Sequence, residues 1–69
     1  MLTEHQRAVL AHVVVSPEAW LAHVEAQFGV DQARAMLEAK VARWSDDFAA
    51  ESAKPDYKTR AQRDAETPL

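Results

Sequence analysis

The sequence predicts an all-α protein of three helices, the second and third folded into an antiparallel hairpin, with a partly ordered C-terminal tail. Three observations carry this. Large apolar residues recur three and four positions apart, the period of one helix face. Ala, the strongest helix former, is the commonest residue, and the 69-residue chain has a single Gly and no long polar tract. Finally, helix-start signals recur along the chain, each followed by an apolar stripe.

The first helix is expected over 4–14. Thr3 and Gln6 stand three apart, so the hydroxyl and the amide can each satisfy the other residue's free backbone donor in a capping box. Leu2 precedes the cap and can staple onto the first turn. Val9, Leu10, Val13 and Val14 then form the stripe. Three consecutive Val residues weaken the helix at its end, because β-branched chains lose rotamer freedom there. A short strand at 12–15 is the alternative, with no evident partner strand.

Ser16-Pro17-Glu18 restarts the chain as a second helix over 17–28. Ser is a preferred N-cap, Pro suits the first helical position, and Glu complements the helix dipole. Trp20, Leu21, Val24 and Phe28 share one face, and Gly29 stands where a left-handed C-cap is wanted.

The third helix is expected over 32–52, capped by Asp31. Ala33, Leu37, Val41, Trp44 and Phe48 form its stripe, with Met36 and Lys40 beside it. It should stop before Pro55, which disfavours helical geometry at Lys54. The hairpin core is then Trp20, Leu21, Val24, Phe28, Leu37, Val41, Trp44 and Phe48.

Residues 1–53 thus read as one small helical domain and 54–69 as a tail. The tail carries four basic and three acidic groups, whereas residues 1–53 are net acidic. Its large apolar residues are Tyr57 and Leu69. Thr59 and Gln62 repeat the capping-box spacing, so a short helix over 60–66 forms if something supports it, since seven residues are too few alone.

Chemistry-bearing patterns are sparse. No Cys is present, so disulfides, thiolate metal sites and thiol nucleophiles are excluded. His5 and His12 lie two helical turns apart, about 10 Å along the axis, too far to share one ion, and no metal or other cofactor is expected. Ser16, Ser45 and Ser52 lack the Gly-flanked elbow of a reactive serine. A phosphate-cradling loop needs several glycines. Asp46 and Asp47 are neighbours that point in different directions on a helix. An enzyme is not expected.

A net charge of −3 departs from the strongly basic profile of a general nucleic-acid binder. Phe28-Gly29-Val30-Asp31, followed by Gln32, Ala33 and Arg34, nevertheless resembles the turn of a helix-turn-helix motif, whose recognition helix would offer Gln32 and Arg34 to base edges. Glu25 and Ala35 depart from that pattern, and the third helix is long for a recognition helix. A DNA-binding regulator is therefore the second reading, with Lys54, Lys58, Arg60 and Arg63 near phosphate.

The leading reading follows from a thin core. Twelve sizeable apolar residues are available in the three helices, and small scaffolds without disulfides or metals often complete themselves by association. A protein partner or a second copy is expected. The partner-binding candidates are Trp20, Trp44, Phe48, Tyr57, Lys58, Arg60 and Arg63, since aromatic and arginine anchors dominate interfaces. Core packing is the competing role for both Trp residues, and a frayed terminus is the competing role for the tail.

Three stretches together carry a resemblance: Ser16-Pro17-Glu18-Ala19-Trp20 with Phe28-Gly29; Leu37-Glu38-Ala39-Lys40-Val41-Ala42-Arg43-Trp44; and Asp56-Tyr57-Lys58-Thr59-Arg60-Ala61-Gln62-Arg63. Over about residues 8–66 this resembles small uncharacterised helical proteins encoded in tailed phages and prophages, often among virion structural genes. The resemblance implies a virion structural or assembly role and transfers no catalytic or ligand-binding residue. A small inhibitor of a host protein is a further reading. No run approaches the ~20 apolar residues of a membrane span, and Met1-Leu2-Thr3-Glu4-His5 lacks a signal-peptide layout. The expected location is cytoplasmic on synthesis, and the virion if the resemblance holds.

Overall fold

A computed structural model describes residues 2–66 of the protein; Leu69 lies outside them. Four helices form among the described residues: α1 (Glu4–Val13), α2 (Pro17–Phe28), α3 (Val30–Ser52) and α4 (Arg60–Glu66). The all-α class holds. The expected count of three rises to four because the 60–66 segment finds support on α1.

Local chemistry sets the helix starts. Thr3 and Gln6 form the reciprocal capping box, each side chain 3.0 Å from the other's backbone nitrogen. The Ser16 hydroxyl accepts from the Ala19 N–H at 3.3 Å. Ahead of α4, Thr59 and Gln62 repeat the box, at 2.8 Å and 3.3 Å.

Two boundaries differ from expectation. α1 ends one residue early, at Val13, with Val14 extended as its C-cap, and no strand forms at 12–15. α3 begins at Val30, two residues early, so Asp31 lies inside its first turn instead of capping it. Gly29 alone joins α2 to α3, serving as C-cap of one and N-cap of the other. Its φ of 89° and ψ of 162° lie outside the left-handed helical region, in the mirror-extended region open essentially to Gly.

The self-contained helix 2–helix 3 hairpin is the second correction. α3 is a spine carried by two neighbours. α2 returns over its first half, placing Trp20 with the Lys40 Nζ 5.6 Å from its ring. α1 lies along α3 from Leu37 to Phe48: Leu2 and Leu10 cluster with Leu37, and His12 meets Phe48 at 6.3 Å between rings. The buried apolar core residues are therefore Leu2, Val9, Leu10, Val24, Ala33 and Leu37. Of the eight residues expected at the hairpin core, Val24 and Leu37 are buried, Trp20, Leu21, Val41, Trp44 and Phe48 are half-buried, and Phe28 is exposed. The molecule measures 36 × 29 × 16 Å along its principal axes. Its short axis is under half its long one, so the helices form a thin layer and large side chains stay partly wet.

Candidate functional site

Two surfaces gather candidate binding residues. The first is where the tail folds back. After α3 the chain turns at Ala53–Asp56, held by Lys54 N–H to the Glu51 carbonyl at 3.1 Å and Tyr57 N–H to the Lys54 carbonyl at 3.2 Å. This brings Tyr57 against the ends of α1 and α3. Its ring stacks on His12, with centroids 5.9 Å apart and planes 23° apart, and meets Phe48 edge-on at 6.0 Å. The Tyr57 hydroxyl sits 3.3 Å from His12 Nδ1. Burial pushes the Tyr57 phenol above its ordinary value, with Arg63 opposing and Glu51 adding to the shift.

Arg63 completes the contact. Its Nη2 donates to the His12 backbone carbonyl at 2.7 Å. That carbonyl belongs to the last turn of α1, where no helical N–H remains to meet it, and a cation there also faces the negative end of the dipole. Beside this contact lies an open polar cleft of about 230 Å³ lined by His12, Glu51, Lys54, Asp56, Tyr57, Lys58 and Arg63. Two of its cations are held in ion pairs. Lys54 pairs with Glu51 at 3.0 Å, which raises the Lys54 pKa, and Lys58 reaches both oxygens of Glu66 at 2.6 Å.

The second surface is the α2–α3 corner. Phe28 is 50% exposed and Val30 60% exposed, on either side of Gly29. A shallow groove next to it is lined by Leu21, Glu25, Val30, Arg34 and Leu37.

Of the residues expected to bind a partner, Phe48, Tyr57 and Arg63 are brought together, around His12, and are engaged within the chain. Trp20 packs on the core cluster below Lys40, and Trp44 lies half-buried, with the Arg43 guanidinium carbon 5.5 Å from its ring. Lys58 and Arg60 bond within the tail, Arg60 to Asp64 at 3.1 Å. Sequence reasoning missed His12 as the anchor of the tail, since its partners lie 45 and 51 residues away. It also placed Phe28 inside. The available signal was its position in the last turn before the only Gly, where two helices part.

Among the described residues, no three His, Asp or Glu side chains are grouped to hold a metal ion, and no helix is long and apolar enough to cross a membrane. Comparison with protein-family models, with curated proteins and with solved structures finds no match.

Proposed function

We propose that this chain is a non-enzymatic protein–protein interaction module that associates with copies of itself through the α2–α3 corner. The observation that supports this is the exposure of Phe28 and Val30 astride Gly29. In a chain with two Phe residues and so thin a core, leaving one of them half in water forfeits burial that a second surface can restore. The groove beside the corner carries Glu25 and Arg34, so a two-fold arrangement can set Glu25 of one copy against Arg34 of the other, which makes the patch self-complementary. The resemblance to small phage proteins suggests the setting, a virion structural or assembly component.

A helix-turn-helix regulator fits less well. Gly29 alone joins the two helices, where the motif uses three to four residues, and Asp31 stands beside Gln32 and Arg34 where phosphate would approach.

The test is light-scattering mass after size-exclusion chromatography over a hundredfold concentration range, on the wild type and on Phe28→Glu. The expected result is a mass rising above the 7.7 kDa monomer for the wild type, and for the variant an unchanged helix content with a smaller rise at every concentration. A wild type that stays monomeric throughout, or a variant that associates equally, overturns the reading.

A further inference from the structure

The tail is built as a separable unit. Lys58–Glu66, Arg60–Asp64 and the Thr59–Gln62 box all lie inside residues 58–66, so none of these bonds ties the segment to the body, and its short helix forms on docking. Among the described helices α4 packs on α1 alone, and none of its residues is buried. The docking contacts include the Tyr57 ring between His12 and Phe48 and the Arg63 guanidinium on the His12 carbonyl. The turn that links tail to body, Ala53–Asp56, is exposed along its length. Its one ion pair, Lys54–Glu51, is exposed and of a kind that contributes little.

We propose that the notch formed by His12 and Phe48 is a docking site for this tail segment, and that it accepts the tail of a second copy in exchange for its own. The notch offers an aromatic slot and a helix-end carbonyl that no helical N–H meets. Its occupant must carry an aromatic residue followed six positions on by a cation with several donors, as Tyr57 and Arg63 are spaced. The second copy's tail meets that requirement with the same groups in the same order, and exchange of an identical terminal element is a low-cost route to association. The inference deepens the self-association reading by adding a second contact between copies, but does not depend on the corner. In the resting chain the tethered tail holds the notch, so a segment arriving from outside binds only in proportion to the open fraction.

The experiment titrates a fluorescent peptide of residues 54–66 into the full-length chain, wild type and Tyr57→Ala. The peptide should bind the variant at least tenfold more tightly than the wild type, because the variant's own tail no longer fills the slot. Adding Phe48→Ala to the variant should abolish that binding. Equal affinity for wild type and variant, no binding to either, or binding that survives Phe48→Ala overturns the proposal. If Tyr57→Ala loses helix content, Arg63→Ala takes its place under the same criteria. The titration reads the notch alone, so its failure leaves the corner reading standing; a Phe28→Glu variant that associates as the wild type does overturns the corner and leaves the notch standing, whereas a wild type that stays monomeric overturns both.

Discussion

Leu10→Ala tests whether α1 is part of the core or an accessory to an α2–α3 hairpin. Leu10 is fully buried and clusters with Leu2 and Leu37, with Val14, Trp20, Leu21 and Val41 around it. The substitution deletes three carbon groups, worth about 2.4 kcal/mol at ~0.8 kcal/mol each. The space left behind raises the cost to about 3–4 kcal/mol, inside the range measured for buried Leu→Ala changes. At roughly 0.05–0.15 kcal/mol per residue, a chain of 69 residues has about 3.5–10 kcal/mol in all, so this one change removes a third of it or more. With a urea slope of about 1 kcal/mol/M for so small a protein, the midpoint should fall by about 3 M, followed by the fluorescence of Trp20 and Trp44. Phe28→Ala is the control. Phe28 has the larger side chain but is half exposed, so its truncation should cost about 1 kcal/mol, well below the 3–5 kcal/mol of a buried Phe. If Phe28→Ala proved the more damaging of the two, the three-way packing around α3 would be refuted in favour of a hairpin core.

Two further outcomes are expected. Gly29→Ala should destabilise the chain by roughly 1–3 kcal/mol through backbone strain at positive φ, because nothing lies within 4 Å of where the new Cβ would stand; an unchanged urea midpoint would show that the corner relaxes freely. Tyr57 should ionise above its ordinary value of 10.0 because docking buries it. Its contribution to stability is then complete below about pH 10 and is lost as pH rises through the higher folded value, which favours release of the tail. Tyr57 is the only tyrosine, so its absorbance titration is unambiguous, and a midpoint equal to that of the free 54–66 peptide would show an undocked tail.

The sequence by itself determined where helices begin and the periodicity of their apolar faces. Thr3 with Gln6, Ser16 with Ala19 and Thr59 with Gln62 complete their bonds within three residues, so their geometry is local and legible. The all-α class follows from the same short-range chemistry. Of the candidate site, the aromatic and arginine residues of the tail were legible as docking groups, but what they dock on was not. Helical periodicity names the face a residue lies on and is silent about which neighbour covers it. Only the tertiary structure decided that Leu2 is buried and Phe28 is not, since Phe28 stands at the junction where Gly29 alone joins α2 to α3. Only it decided that Tyr57 and Arg63 close on His12, contacts spanning 45 and 51 residues. Such contacts depend on how three helix axes cross, which is set by the joint packing of many side chains and by no single local signal.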